Sequence, residues 1–209
     1  MRGRVALMHL WYASYGSNLS RDRFLCYLQG GRPEGASRDY PGARDRTEPA
    51  ADTAVVLPGQ VYFGWHSPTW GGGIAFYDAD SEGQALGRAY LITESQFADV
   101  AAQEMHRAPG EDLDLSTVLE DRQHTLGPGR YESLHLVGEL EGQPMLTFTS
   151  PETADVEHRP PSEPYLAMVA QGLRETHDHT DDELADYLHQ CPGVSLNWSR
   201  EQVAELVSL

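Results

Sequence analysis

Strand and helix signals are unevenly spread along this chain of 209 residues, and their distribution constrains its fold more than any other feature. Short segments of strand character crowd the middle: Gln60–Gly64, Gly73–Asp78, Leu86–Ile92, Tyr131–Leu140 and Pro144–Thr149. Glu141-Gly142-Gln143 joins the last two as a short hairpin turn containing glycine. A further β-like segment, Val5–Tyr12, runs into Ala13-Ser14-Tyr15-Gly16-Ser17-Asn18. Helix signals gather near the ends. Leu19–Leu28 puts Phe24, Leu25 and Leu28 at helical spacing, and Pro164–Thr176 reads as a helix opened by proline. The capping box S/T-x-x-E/Q occurs at Thr93–Gln96, Thr180–Glu183 and Ser199–Gln202, each time before an apolar run of helical period. There is no internal repeat. The pattern predicts an α+β fold, a small mixed β-barrel or strongly bent sheet with flanking helices. It also predicts a single domain over residues 1–209, with a helical C-terminal extension from about residue 177. Gly30–Pro58, rich in Gly, Pro, Asp and Arg, is expected to be a long loop, functional or partly disordered.

Composition excludes several chemistries. The chain carries 32 acidic residues against 15 basic ones, a net charge of −17, which repels nucleic acid. All 15 basic residues are arginine. With no lysine, a Walker A loop, a Schiff base, a Ser-Lys dyad and a kinase-type lysine are ruled out. The two cysteines, Cys26 and Cys191, form no C-x-x-C pair, and two free thiols in a reducing compartment is the simpler reading than one disulfide. The start MRGRVALMHLWYA has a short, His-interrupted apolar run with no A-x-A site, and no stretch reaches the ~20 apolar residues of a membrane span. A soluble, cytoplasmic protein is expected, with no nucleic-acid or membrane partner.

Two places could carry chemistry. In the helix opened by Thr93, the apolar stripe Phe97, Val100, Ala101 continues onto Glu104. A carboxylate on such a face is desolvated, the condition under which a general acid/base works, unless it turns outward or pairs with Arg107. Tyr15-Gly16-Ser17-Asn18 offers backbone N–H groups at a strand-to-helix turn, suited to a carboxylate or an oxyanion; the plain alternative is a turn capped by Ser17 or Asn18. Trp70-Gly71-Gly72-Gly73 is either a ligand wall where backbones approach closely or a tight turn before a strand. His177-Asp178-His179-Thr180-Asp181-Asp182 holds metal-ligand types but reads better as a solvated helix start, so no metal site is expected. Ser17 and Ser67 lack a G-x-S-x-G frame. Arg44-Asp45-Arg46 could clamp an acidic ligand, with mutual pairing on the surface the plainer reading.

These residues together resemble the γ-glutamyl cyclotransferase-like superfamily. Tyr15-Gly16-Ser17-Asn18-Leu19 is similar to its N-terminal signature, and Thr69-Trp70-Gly71-Gly72-Gly73-Ile74-Ala75 to a later segment. Leu86–Met105 resembles the unit that ends in the catalytic glutamate, and Pro161-Ser162-Glu163-Pro164-Tyr165 the segment whose tyrosine lines the pocket. The four matches fall in the family's order over roughly residues 10–175. The chain departs from the pattern at Met105, where glycine is usual, in its long Gly30–Pro58 loop, and in the tail after His189. A second pocket tyrosine has no clear counterpart, with Phe148 the nearest aromatic.

The resemblance implies a cofactor-free reaction on a small-molecule γ-glutamyl substrate, whose α-amine attacks its own γ-carbonyl to give 5-oxoproline and a released amine or amino acid. Glu104 is then the catalytic acid/base, and Tyr15, Gly16, Ser17, Asn18, Leu19, Trp70 and Tyr165 bind substrate. The rival readings are a non-catalytic or regulatory ligand-binding module of the same fold, and an amide hydrolase or acyltransferase using the same pocket.

Overall fold

A computed structural model describes residues 9–32, 39–151 and 156–209 of the chain. In chain order its elements are β1 (His9–Ser14), α1 (Arg21–Gln29), β2 (Ala51–Pro58), β3 (Gln60–Ser67), β4 (Gly72–Asp78), β5 (Gln84–Thr93) and α2 (Glu94–Glu104). Then come α3 (Ser116–Asp121), β6 (Gln123–Thr125), β7 (Ser133–Leu140), β8 (Gln143–Thr149), α4 (Glu163–Thr176), α5 (Asp181–Gln190) and α6 (Arg200–Val207). The first part of the segment expected at Val5–Tyr12, residues 5–8, lies outside the described residues, as do residues 1–8 of the apolar start and residues 33–38 of the long loop.

Six strands form one bent, mixed sheet in the order β2-β5-β1-β8-β7-β6, and β3 and β4 form a separate hairpin. The sheet has two edges and does not close into a barrel, so of the two expected forms the bent sheet is the one found. β1 lies inside it, antiparallel to β5 and parallel to β8. A strand covered on both faces reads as a nearly continuous apolar run, and Leu10-Trp11-Tyr12-Ala13 is one. Alternate side chains point to opposite faces. Leu10 and Tyr12 join a core with Phe24, Leu28, Phe97, Val100 and Ala101. Trp11 and Ala13 join the other, with Phe63, Phe76, Leu166, Leu184 and Val203. The helices therefore divide, α1 and α2 packing on one core and α4, α5 and α6 on the other. The segment after residue 177 shares this second core with β3 and β4. Thr149 ties the hairpin to the sheet: its hydroxyl accepts from the Tyr77 N–H at 2.9 Å and donates to the Tyr77 carbonyl at 2.8 Å.

All three capping boxes form, at Thr93, Thr180 and Ser199. The β7–β8 turn is left-handed at both Glu141 (φ 52°) and Gly142 (φ 75°), as a two-residue hairpin requires. One expectation fails. The last eight residues of the Gly30–Pro58 loop are β2, paired residue for residue with β5 from Ala51↔Leu91 to Pro58↔Gln84. As an edge strand it buries only Leu57, so no alternation of apolar residues marks it. The short α3 and β6 also carry too few apolar positions to show a period. No helix among the described residues is long and apolar enough to cross a membrane.

One close approach fixes where α4 lies relative to the chain leaving β1. A Cβ added at Gly172 would fall on the backbone of Leu19 and Ser20. Gly172→Ala should therefore destabilise the protein by about 1–3 kcal/mol through overpacking, even though alanine is intrinsically the better helix former by about 1 kcal/mol. Thermal unfolding followed by circular dichroism checks this; an unchanged or raised Tm would show that α4 is free to move aside.

Candidate active site

The chain leaves β1 at Ser14 and turns at Gly16 into a single 3₁₀ turn, Ser17–Leu19. Two amides are used inside the turn: the Leu19 N–H donates to the Gly16 carbonyl (3.0 Å) and the Ser20 N–H to the Ser17 carbonyl (3.2 Å). The turn has no side-chain cap, so the leading amides of Ser17 and Asn18 are donors left over, the arrangement that favours an anion. Gly16 has φ −117°, outside the left-handed region, and its surroundings are tight. A Cβ there would stand 3.2 Å from the Ala75 Cβ and 3.4 Å from the Tyr165 hydroxyl.

Glu104 meets this turn from the other side. Phe97, Val100 and Ala101 are fully buried, as the stripe requires, and Glu104 follows them at the last residue of α2, half-buried. Its Oε1 accepts a hydrogen bond from Asn18 Nδ2 at 2.9 Å. The same Nδ2 lies 3.2 Å from the Tyr12 hydroxyl. Arg107, the alternative partner, pairs instead with Glu132 at 2.7 Å.

Glu104 stands between two adjoining chambers. The smaller is lined by buried side chains, among them Tyr12, Tyr15, Asn18, Ala75 and Phe148. The larger is bounded by Arg23, Tyr27, Tyr40 and Trp70 and reaches the exposed Thr69 and His106. Ser17, Tyr131 and Tyr165 line both. The tyrosines near the carboxylate stay protonated at any ordinary pH. Burial, the leading cause, pushes the phenols of Tyr12, Tyr27, Tyr131 and Tyr165 upward, and the Glu104 charge adds to it. Glu104 is thus the carboxylate among neutral phenols.

No family profile matches the chain. Over 206 residues it is 30% identical to histone deacetylase 5 of Arabidopsis thaliana, an alignment covering 90% of this chain and 31% of that protein. The chain thus spans about a third of that relative's length. Among solved structures, an uncharacterized protein from Homo sapiens superposes with a TM-score of 0.54 at 16% identity, covering 97% of this chain and 100% of the other. A γ-glutamyl cyclotransferase superposes with a TM-score of 0.53 at 16% identity, covering 96% and 98%. The chain has the γ-glutamyl cyclotransferase-like fold.

That fold brings together most of the residues expected at the site. Gly16, Ser17, Asn18, Glu104 and Tyr165 converge on the chambers. Trp70 walls the larger one, its ring 5.3 Å from that of Tyr165. Gly72 and Gly73 fit the close-approach reading, since a Cβ at either would press on the backbone of Ser162 or Arg159, whereas Gly71, at φ 72° with nothing near its Cβ position, makes the turn. Tyr15 contributes its ring alone, its hydroxyl being committed to the Phe148 carbonyl at 2.8 Å. Leu19 is a correction: its side chain is fully buried, its N–H is used within the turn, and its carbonyl accepts from Arg88 Nη1 at 3.1 Å. It anchors the turn to the core and lines neither chamber.

Other expectations are resolved by partners. Arg44 pairs with the buried Asp99 at 3.0 Å and with Asp112 at 2.8 Å, while Arg46 donates to the carbonyls of Gln29 and Pro41. They pin the loop, and they do not pair with Asp45 as expected. His177 is buried, with Nε2 2.9 Å from the Gly87 carbonyl oxygen, and Glu183 closes the capping box with Thr180. Among the described residues no three His, Cys, Asp or Glu side chains are grouped to hold a metal ion. Cys26 and Cys191 are free thiols.

Sequence reasoning missed Arg23, Tyr27, Tyr40 and Tyr131. Tyr131 supplies the second phenol that Phe148 could not, and its hydroxyl donates to the Ala75 carbonyl at 3.0 Å. The Ala75 N–H in turn donates to the Tyr165 hydroxyl at 3.1 Å, so two tyrosines hold this strand residue from both sides. Arg23 and Tyr27 are four apart on α1, a spacing that would have placed a cation and a phenol on one helical face.

Gly16→Val should weaken binding of 5-oxoproline more than it lowers Tm, because the added methyls enter the smaller chamber against Ala75 and Tyr165. Calorimetric titration beside a melting curve compares the two; unchanged affinity would reduce the turn to a structural one.

Proposed function

We propose that this chain is an enzyme of γ-glutamyl cyclotransferase type, converting a γ-glutamyl amide to 5-oxoproline and a released amine or amino acid. The observation carrying this reading is the 2.9 Å hydrogen bond from Asn18 Nδ2 to Glu104 Oε1, which sets a carboxylate beside a turn with two amides to spare.

In this reading the glutamyl portion folds into the smaller chamber with its amide carbonyl against the amides of Ser17 and Asn18. Those amides stabilise the negative charge that develops on the carbonyl oxygen as the α-amine attacks. The new bond joins the α-nitrogen to the γ-carbon, and the bond from that carbon to the leaving nitrogen breaks. The α-ammonium gives up two protons on becoming a lactam nitrogen, and the leaving nitrogen gains two on becoming an ammonium. Glu104 relays them, its Oε1 held by Asn18 and its Oε2 left to carry the proton. Nucleophile and electrophile belong to one molecule, so holding the folded conformer supplies much of the rate. Tyr15, Gly16, Ser17, Asn18 and Tyr165 shape the glutamyl subsite, with Trp70 on the leaving-group side. Deacetylase activity is not carried over from the plant relative, of which the chain spans so small a part.

Glu104→Gln should retain fold and ligand binding and lose roughly 10²-fold or more in kcat, the scale of a lost general base. Incubation with a panel of γ-glutamyl amino acids and amines, assaying 5-oxoproline, measures it; near-wild-type turnover in the folded variant sinks the assignment. The scheme gives no task to a cation. Activity should therefore survive extended chelation, and its loss with recovery on one added divalent ion would overturn the mechanism.

A further inference from the structure

Arg23 is 5% exposed and sits on the wall of the larger chamber. Its guanidinium is held on two sides. Nε donates to Ser17 Oγ at 2.7 Å, and Nη2 donates to the hydroxyls of Tyr40 at 3.1 Å and Tyr27 at 3.3 Å. Three rings enclose the cation, those of Trp70, Tyr27 and Tyr40, at 5.3, 5.5 and 5.5 Å. Yet Nη1 is sealed from solvent and has no hydrogen-bond partner, and no carboxylate among the described residues lies within 4.0 Å of the group. Glu104 lines the same chamber and its charge favours the guanidinium from beyond contact distance, but it leaves Nη1 unmatched, and a buried donor without a partner is costly. The usual resolution is an anion that arrives with the ligand.

We propose that Arg23 is a specificity-determining residue whose free Nη1 binds a carboxylate on the leaving group, so that the protein selects γ-glutamyl compounds whose released half is an amino acid over those that release a simple amine. The proposal rests on the cyclotransferase reading. Its geometry follows from the position of Glu104 at the junction of the chambers. The scissile amide lies at that junction, and the glutamyl half occupies the smaller chamber, the one that holds the leftover amides. The leaving half then falls in the larger chamber, beside Arg23 and Trp70. The Nε bond to Ser17 makes Arg23 rigid with respect to the reacting carbonyl, which converts recognition of a distant carboxylate into alignment of the amide. Arg130, the other arginine lining this chamber, has its guanidinium carbon 3.3 Å from the centre of the Trp65 ring.

γ-Glutamylalanine and γ-glutamylethylamine differ only in the leaving-group carboxylate, and the 5-oxoproline they release is the same. Wild-type protein should show a kcat/KM about 10- to 100-fold higher for the alanine compound, the range expected of one charge-assisted contact. Arg23→Gln should bring the two within about threefold of each other, and Arg23→Lys should give an intermediate ratio, because the charge remains and the fork is lost. Equal use of both compounds by wild-type protein overturns the role of Arg23 and leaves the cyclotransferase reading standing. So does a ratio that survives in folded Arg23→Gln but collapses in Arg130→Gln. If neither compound yields 5-oxoproline, the cyclotransferase reading fails. Calorimetric binding to Glu104→Gln then decides Arg23 separately: tighter binding of the alanine compound supports the carboxylate contact and equal binding refutes it, an arm that also serves if Arg23→Gln does not fold.

Discussion

The cleft depends on one junction, where the end of α2 meets the turn after β1. Two side chains, one residue apart, make it. Gln103 points inward and donates to the carbonyl of Tyr27 at 2.9 Å and of Asp99 at 3.1 Å, binding α2 to α1. Glu104, the next residue, accepts from Asn18. One turn earlier the buried Asp99 accepts from the N–H groups of Arg44 and Gly110. Gln96, a turn before that, donates to the Thr47 carbonyl at 2.9 Å. Gln96, Asp99 and Gln103 thus form a polar stripe at helical spacing that welds two loops and a helix to α2. The donated bonds fix where α2 lies, although the Gln103 carbonyl oxygen is buried without a partner. Glu104 inherits its position from them.

How much of this could be read in the sequence follows from how local each interaction is. The capping boxes at Thr93, Thr180 and Ser199 involve residues three apart, and every one is found where the pattern placed it. The stripe from Phe97 to Glu104 is equally local, so the direction in which Glu104 faces was legible. Its partner was not, because Asn18 lies 86 residues away and nothing in either segment names the other. β2 escaped for the same reason: its edge position leaves it no apolar alternation, and only the ladder to β5 makes it a strand. Leu19 shows the converse error. Its place in the YGSNL segment suggested ligand contact, but a leucine pressed against the α4 backbone at Gly172 is there for packing. Tyr131, at the start of a segment read only as strand, lies in the turn before β7, and its place at the chambers comes from a hydrogen bond to Ala75, 56 residues away.

The cleft is assembled from close backbone approaches, and that explains its glycines and its tyrosines together. Gly16 admits Ala75 and Tyr165; Gly172 admits Leu19; Gly72 admits the chain at Ser162. With no side chains at these points, the elements are located by hydroxyl groups that reach across them: Tyr131 and Tyr165 on Ala75, Tyr15 on the Phe148 carbonyl, and Tyr90 on the Asn18 carbonyl at 2.8 Å. A phenol suits this role because its ring fills apolar space while its hydroxyl satisfies a buried backbone group. The burial that raises these phenols also keeps them from competing with Glu104 for negative charge.

A chain with a net charge of −17 must still admit an anionic substrate if the proposed reaction is its own. The two scales separate. Surface charge acts through solvent, where screening limits it to about 8 Å at physiological salt. Within the cleft, the amides of Ser17 and Asn18 and the guanidinium of Arg23 act at contact distance in a medium much less polarisable than water, where each is worth far more. Arginine is the residue able to do this. A lysine sealed among three aromatic rings would be pushed by desolvation towards its neutral form, whereas a guanidinium keeps its charge and holds its fork to Ser17 and the two tyrosines. The absence of lysine, which in the sequence served only to exclude reactions, therefore costs the site nothing: Arg23, the buried cation of the larger chamber, is of the kind that stays charged there.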